Sequence, residues 1–448
     1  MSAGEMQAAL PPRDELIAVA FWHGSVPKAE AILARHPGLR SADIHVAALL
    51  GDDEAVRRFL ADDPASVHRK SGPRDVDPLT TLCFSAYLTD PARSGAFVRA
   101  AVALLDAGAD VSAGFRDDQY DERESLLYGA AGVAFHPELT RLLLERGADP
   151  NDDETPYHAP ETRDNRALRV LLESGKLTQE SLNMMLLRKT DWHDLEGVRL
   201  VLDHGADVNR MTRWGKTALH NAILSNNSLE IIELLLDRGA DPTIRAPRAG
   251  RGNAGPSNVS SVALAARRGR ADALEAFRRR GFSIELDGVD ALVAACALDD
   301  RAAIGALVER EPGGRDELLA HGATLLAEFA TSANADGVAR LLDIGVPIDA
   351  RYRGDGYFGT PANSTALHVA AWHAWPQVVE LLIARGADVD ARDGDGRTPL
   401  MLAVRACTAS YWASRCTADG ARALLAAGAS KGGIALPTGR ADLDALLT

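Results

Sequence analysis

Two histidines occupy the positions where catalytic chemistry would first be sought in this chain. Histidine is the side chain most often used as a general acid or base, so His220 and His368 invite a catalytic interpretation. No Ser/His/Asp or Cys/His arrangement and no Gly-x-Ser-x-Gly turn accompanies either of them. The residue pattern therefore predicts no enzymatic activity.

An acidic stretch resembles a site for a bound cation. The four aspartates between 388 and 395 have the spacing of oxygen ligands in a calcium loop. An EF-hand loop needs a glutamate at its twelfth position, where this chain has Pro399. No pair of histidines and cysteines has the spacing of zinc ligands either. We therefore predict no metal and no cofactor.

A recurring unit of two short helices must position any functional residues. In its clearest copy, Gly215 allows a tight turn and Thr217 can cap the helix that follows. Apolar residues then recur at helical spacing in two runs, which Asn226 and Asn227 separate. Gly239 ends the second run with a left-handed backbone conformation. A helix pair of this size cannot bury its own apolar face and needs copies on both sides.

Copies of both helix signatures occur along the chain. The start signature Thr-Ala-Leu-His-x-Ala stands at 217–222 and 365–370, with a Thr-Pro-Leu-x-x-Ala form at 398–403. The end signature places its glycine at Gly108, Gly147, Gly205, Gly239, Gly386 and Gly428. This pattern resembles the ankyrin repeat, in which Thr-Pro-Leu-His-x-Ala precedes Leu-Leu-Leu-x-x-Gly-Ala-Asp by about twenty residues.

The resemblance implies an all-α fold, an ankyrin-repeat α-solenoid with finger-like turns on its concave side. About twelve helix-turn-helix units would form a single array over residues 1–448. We expect degenerate N-terminal repeats at 12–112, better-matched repeats at 122–243, degenerate middle repeats at 259–349, and C-terminal repeats with a cap at 363–448. Insertions, which form surface loops in such arrays, fall at 112–122, 244–258, 351–363 and 407–418. The resemblance also implies that His220 and His368 are structural, each ring hydrogen-bonded to neighbouring backbone.

The insertion at 351–363 has the residue types of a binding surface. Aromatic and arginine side chains dominate the energetics of protein interfaces, and this insertion is rich in both. The partner-binding residues that we predict are Trp214, Arg351, Tyr352, Arg353, Tyr357, Phe358, Trp372, Trp375, Arg116 and Tyr120. The alternative is that these rings pack back onto the helices.

A second candidate surface is the arginine-rich stretch from Arg245 to Arg280. It holds nine arginines against Asp272 and Glu275, so its local charge is 9 − 2 = +7. Such a stretch could receive an acidic partner or the phosphates of a nucleic acid. Because cations favour helix C-termini, solvated helix ends are the competing interpretation. The whole chain carries 49 − 63 = −14, which disfavours general polyanion binding.

The composition of the chain predicts the cellular compartment in which the protein is found. The four cysteines form no Cys-x-x-Cys pair, so we expect free thiols in a reducing compartment. No apolar run approaches the roughly 18 residues of a membrane span, and no Sec-type signal is evident. We expect a monomeric cytoplasmic protein, and its high Ala, Arg and Asp usage suggests a bacterial source. Export by a route without a cleaved signal stays open.

The resemblance thus implies a protein–protein interaction scaffold or adaptor that binds its partner through the concave face of fingers and helices. One alternative is an effector or immunity-type regulator of a foreign or toxic protein. Another is an anionic-ligand or nucleic-acid binder that uses Arg245 to Arg280. Steep salt dependence of binding would distinguish this last class.

Overall fold

The computed structural model describes residues 10–119, 121–247 and 258–448. Helices dominate these residues, and the named strands pair in two short antiparallel hairpins. The prediction of an all-α fold built from stacked helix pairs is confirmed. The chain divides into two compact units, Met1–Thr212 and Arg213–Thr448. A single array over the whole chain stays a prediction.

The first unit holds twelve α-helices and one hairpin among its described residues. The helices are α1 (Pro12–Ala20), α2 (Val26–Arg35), α3 (Ile44–Leu50), α4 (Asp53–Asp62), α5 (Pro78–Cys83), α6 (Ser94–Asp106), α7 (Leu126–Tyr128), α8 (Pro137–Glu145), α9 (Glu154–His158), α10 (Arg166–Glu173), α11 (Gln179–Asp191) and α12 (Leu195–Asp203). Short 3-10 segments lie at Pro37–Ser41, Pro64–His68 and Ala86–Thr89, and a π-helical turn at Gly129–Val133 continues α7. Strands β1 (Gly114–Arg116) and β2 (Arg123–Ser125) pair antiparallel around the insertion predicted at 112–122.

The second unit has the same architecture. Its helices are α13 (Ala218–Leu224), α14 (Leu229–Asp237), α15 (Ser261–Arg267), α16 (Ala271–Arg279), α17 (Gly288–Ala297), α18 (Arg301–Arg310), α19 (Pro312–Ala320), α20 (Gly322–Thr331), α21 (Ala335–Ile344), α22 (Ala366–Trp372), α23 (Pro376–Ala384), α24 (Pro399–Thr408), α25 (Asp419–Ala426) and α26 (Ala441–Leu447). Strands β3 (Arg245–Ala246) and β4 (Val259–Ser260) form its hairpin. Helix α20 packs against α22, and α22 against α24, so the first helices of successive repeats form one layer.

The local sequence of the clearest repeat explains its two helices. Thr217 caps α13 by accepting a hydrogen bond from the backbone N–H of His220, and Gly239 follows α14 with φ of 87°. Leu219 in α13 and Leu235 in α14 are both buried. The apolar residues that recur at helical spacing are thus the ones that the neighbouring repeats cover.

The two histidines of the repeat signature are structural, as the resemblance implied. Nε2 of His220 donates to the carbonyl of Val259 at 3.2 Å, and Nε2 of His368 donates to that of Arg397 at 3.0 Å. Since Nε2 carries the hydrogen, Nδ1 accepts from the hydroxyl of Thr217 or Thr365. Burial lowers the pKa of both rings, which keeps them neutral. Each ring links one helix start to the backbone of the next repeat.

Candidate partner-binding surface

The insertion at 351–363 folds into a hairpin between α21 and α22. Backbone bridges join Tyr352 to Ser364 and Asp355 to Thr360. Gly354 makes this close approach possible, since its φ is 89° and a Cβ there would lie 2.8 Å from the carbonyl oxygen of Thr360. The insertion is therefore an ordered element that can hold side chains in fixed positions.

Two of its aromatic rings pack back onto the helices and anchor the hairpin. Tyr352 and Phe358 are 5% and 7% exposed. The hydroxyl of Tyr352 lies 3.5 Å from a carboxylate oxygen of Glu328 in α20, and burial raises the pKa of this tyrosine. Trp372, at the end of α22, donates its indole N–H to the carbonyl of Phe358. These three rings support the surface from below.

Tyr357 stays at the surface of the same hairpin. Its side chain is 43% exposed, and its ring stands edge-on to Phe358 with centroids 5.0 Å apart. The backbone N–H groups of Tyr357 and Phe358 both donate to the Asp355 carboxylate, which fixes the turn. A tyrosine held in this way loses little side-chain entropy when a partner covers it.

The insertion at 407–418, which follows α24, meets the first insertion. Trp412 is buried, and its ring centroid lies 6.3 Å from that of Phe358. Tyr411 beside it is 54% exposed and stands edge-on to Trp412. Each insertion thus contributes one exposed tyrosine above one buried aromatic ring.

A disulfide between Cys407 and Cys416 closes this second insertion. The prediction of free thiols is therefore wrong for these two cysteines, because the helix end and the returning loop bring their Cα atoms to 5.0 Å. Cys83 and Cys296 are free and buried, and burial raises the pKa of the Cys296 thiol to about 12.

Arg415 joins the second insertion to the helix layer. Its guanidinium carbon lies 3.8 Å from the ring centroid of Trp375 and 4.4 Å from that of Trp412. One of its nitrogens donates to the carbonyl of His373. Trp375 is half-buried and donates its indole N–H to the carbonyl of Thr331 in α20. Trp375 thus serves as a platform for this arginine.

His373 is the buried centre of the cluster. It has no exposed surface, and its ring centroid lies 5.1 Å from both Phe358 and Trp412. Neither of its ring nitrogens has a hydrogen-bond partner among the described residues. Burial, with Arg415 and Arg268 nearby, lowers its pKa to about 3. The ring is therefore neutral near pH 7 and acts as an aromatic spacer.

We call the exposed residues above this layer the insertion surface. The insertion surface consists of Arg353, Tyr357, Tyr411 and Arg415 with the exposed edge of Trp375. Tyrosine, tryptophan and arginine are the residue types that contribute most to protein–protein binding. The arrangement offers rigid rings and cationic groups, which suits recognition of another molecule.

The remaining predicted residues that the structure describes are not part of the aromatic cluster. Trp214 is half-buried in the turn before α13, under the guanidinium of Arg213 at 5.1 Å. Arg351 is exposed and donates to the carbonyls of Asn363 and Arg392. Arg116 lies in the first unit and forms an ion pair with Asp121. Tyr120 lies outside the described residues.

Six arginines of the arginine-rich stretch form ion pairs, four of them with carboxylates that lie outside the stretch. Its ion pairs are Arg267–Asp290, Arg268–Glu328, Arg270–Asp272, Arg278–Glu275, Arg279–Glu233 and Arg280–Asp237. Arg245 donates to the carbonyl of Asn258, and Arg248 and Arg251 lie outside the described residues. The local charge of +7 therefore does not describe the charge of this surface.

Three residues of the cluster were missed by the sequence reasoning: Tyr411, Trp412 and Arg415. The available signal was the pair of cysteines that bracket the second insertion, together with the Tyr-Trp dipeptide between them. Nothing in the sequence shows that this loop meets an insertion that lies more than forty residues earlier.

The fold defines a class of helical repeat proteins, and comparison with known proteins identifies the type of repeat in two stretches of the chain. A family model for ankyrin repeats matches in three copies, at residues 184–246 and 353–432. These two stretches therefore consist of ankyrin repeats. The second matched stretch contains the second insertion and all but the first two residues of the first. Ankyrin repeats are generally protein–protein interaction modules.

The curated relatives match over part of their length. Serine/threonine-protein kinase 12 of Arabidopsis thaliana is 40% identical over 83 residues, which are 18% of this chain and 16% of that protein. A putative ankyrin repeat protein of Rickettsia bellii is 29% identical over 112 residues, 23% of this chain and 44% of that protein. L-asparaginase of Dirofilaria immitis is 28% identical over 169 residues, 36% of this chain and 26% of that protein. The chain thus spans less than half the length of each of these relatives.

Among solved structures, the ankyrin repeat domain of human ASB11 is similar at 21% identity. The similarity covers 61% of this chain and 98% of that one, with a TM-score of 0.26. In the part of the chain that the structure describes, no helix is long and apolar enough to cross a membrane. The same residues hold no group of three or more His, Cys, Asp or Glu side chains placed to bind a metal ion.

Proposed function

We propose that this chain is a non-enzymatic scaffold that binds another protein through the insertion surface. The observation that carries the proposal is the convergence of two insertions from different repeats. Each insertion presents a tyrosine, Tyr357 or Tyr411, that is 43% or 54% exposed. The buried rings beside these tyrosines, Phe358 and Trp412, have centroids 6.3 Å apart, and exposed apolar patches on a protein surface often mark interaction sites.

The buried aromatic layer supports this proposal. Phe358, His373 and Trp412 form a continuous set of ring contacts beneath the two tyrosines. Insertions that served only as linkers would not need such a layer. A rigid, preorganised surface binds more tightly because fewer groups must be ordered on binding.

The competing proposal, binding of a nucleic acid through Arg245 to Arg280, receives less support. Six arginines of this stretch already form ion pairs with carboxylates of the same chain. Binding phosphates there would require these pairs to break or to be shared. We therefore place partner recognition on the insertion surface.

The test is affinity capture from a lysate of the source organism with the full chain as bait. A Tyr357→Ser, Tyr411→Ser double variant removes both exposed rings, while the matched control Leu436→Ser removes an exposed apolar side chain elsewhere. We expect the parent and the control to retain a discrete protein partner and the folded double variant to lose it. Retention of the same partner by all three proteins would overturn the proposal.

A further inference from the structure

We infer that the partner segment received by the insertion surface is acidic. This inference rests on the proposed function and adds the chemistry of the partner. Arg353 and Arg405 are exposed and form no ion pair with any carboxylate in the described ranges. Arg415 contacts the rings of Trp375 and Trp412 and a backbone carbonyl. These three cations lie on or beside the insertion surface.

Arg405 belongs to the same region through its contact with the helix layer. Its guanidinium carbon lies 5.9 Å from the ring centroid of Trp372. Trp372 in turn bonds to the backbone of Phe358, the anchor of the first insertion. Arg353 is the neighbour of Tyr352, the other anchor. The cationic groups therefore border the same aromatic layer as the exposed tyrosines.

Most other arginines described in the second unit either pair with a carboxylate or donate to a backbone carbonyl, as Arg245, Arg315 and Arg392 do. Elsewhere in the second unit, Arg279 lies 2.8 Å from Glu233 and Arg280 lies 2.6 Å from Asp237. A chain with 63 acidic residues has no general shortage of carboxylates. Arg353 and Arg405 have neither kind of contact within the described residues, so their guanidinium groups can bind a partner's carboxylate without first breaking an existing ion pair.

The carboxylates that do lie nearby are already used. Glu328 is 2.6 Å from Nη1 of Arg268, and Asp355 accepts the backbone N–H groups of the first insertion. Arg268 is buried, and its Nε and Nη2 atoms have no hydrogen-bond partner among the described residues. Its guanidinium lies 5.5 Å from the ring centroid of Phe358. Within the described residues, no carboxylate of the underlying layer therefore neutralises the positive charge of Arg353, Arg405 and Arg415.

A peptide segment that combines Asp or Glu with aromatic or apolar residues matches this surface. Guanidinium groups bind carboxylates through paired hydrogen bonds, and the exposed tyrosines offer flat apolar contact area. Single-stranded nucleic acid could also use rings and cations. The net charge of −14 disfavours a ligand with one charge on every backbone unit, so we infer the protein segment.

The test measures binding of two fluorescein-labelled peptides to the full chain by fluorescence anisotropy. One peptide repeats Glu-Glu-Tyr-Leu and the other repeats Gln-Gln-Tyr-Leu. We expect the acidic peptide to bind about tenfold more tightly and to weaken as salt rises. Equal affinity for both peptides, or stronger binding of a labelled oligothymidylate than of the acidic peptide, would overturn the inference.

Variants that remove arginine charges test where on the chain the acidic peptide binds. Arg353→Gln with Arg405→Gln removes two cations beside the insertion surface. The matched control, Arg278→Gln with Arg301→Gln, removes two exposed cations that pair with Glu275 and Asp299 elsewhere. We expect about a tenfold loss of affinity for the acidic peptide in the first variant and little change in the control. Equal losses in both variants would contradict the inference.

The same variants separate this inference from the proposed function. If the Tyr357→Ser, Tyr411→Ser variant loses its protein partner while the Arg353→Gln, Arg405→Gln variant keeps it at full affinity, the proposed function stands and the inference fails. If the tyrosine variant keeps its partner, the proposed function fails.

Discussion

At the scale of single residues, Glu124 in the first unit is a buried carboxylic acid whose contacts within the protein do not fully replace its contacts with water. It lies on β2 with 3% of its surface exposed, and its Oε2 atom has no partner among the described residues. Burial, followed by the charges of Glu154 and Asp117, raises its pKa to about 7. The folded protein therefore favours the protonated carboxyl group.

The first prediction concerns the substitution Glu124→Gln. Because the folded pKa lies above the unfolded value of 4.5, the stability contributed by protonated Glu124 is present below pH 4.5 and is lost as pH rises through about 7. Glutamine stays neutral, so the variant should gain about 1–3 kcal/mol over the parent at pH 8 and little at pH 4. Urea unfolding at both pH values measures this difference, and an equal effect at the two would contradict it.

The second prediction concerns His373, whose pKa is lowered in the folded protein, whereas that of Glu124 is raised. Its folded pKa of about 3 lies below the unfolded value of 6.5. The stability contributed by neutral His373 is therefore present above pH 6.5 and is lost as pH falls toward 3. His373→Leu should reduce the acid-side slope of stability against pH by about one proton. Chemical unfolding of parent and variant between these pH values gives the slope, and unchanged slopes would show that His373 is solvated.

The structural roles of single residues could be predicted from their types, whereas the contacts of the aromatic residues could not. His220 and His368 were expected as struts and Thr217 as a cap, because each role depends on groups within one repeat and its neighbour. Among the aromatic residues proposed for binding, Tyr352 and Phe358 are buried while Tyr357 is exposed. Sequence cannot separate these three, since the direction of each ring depends on how the hairpin folds onto α20 and α22.

At the scale of elements, the two insertions form a structure that neither forms alone. The positions of both could be predicted from breaks in the repeat pattern. Their convergence could not, because the contact between Phe358 and Trp412 joins separate repeats and leaves no periodic signal. The pairing of Cys407 with Cys416 was missed because their spacing is not that of a known motif.

The third prediction is that the disulfide holds the second insertion in place. Replacing Cys407 and Cys416 by serine opens a closed loop with a sequence separation of 9, which should cost about 2–3 kcal/mol of local stability. Backbone amides at 408–415 should then exchange hydrogen faster, whereas those of α13 and α14 should not change. Hydrogen exchange with peptide-level resolution measures both regions. Unchanged exchange at 408–415 would show that packing of Trp412 alone fixes the loop.

At the scale of the whole molecule, the fold was predictable and the charge distribution was not. Helical periodicity, caps and terminal glycines recur often enough to specify an all-α repeat fold. Counting charges along the sequence placed a cationic surface at Arg245 to Arg280, although acids from other helices neutralise much of it. The three cations that border the insertion surface without a carboxylate partner among the described residues, Arg353, Arg405 and Arg415, come from two different insertions and a helix, so no local run of charge marks them.

The central claim, that a protein partner covers the insertion surface, is tested most directly by site-specific photo-crosslinking in cells of the source organism. A photoreactive phenylalanine analogue replaces Tyr357 or Tyr411, and as a control it replaces Leu436, which is 47% exposed. We predict that the same partner protein is crosslinked from both tyrosine positions and not from Leu436. A partner crosslinked from Leu436 but from neither tyrosine would contradict the claim.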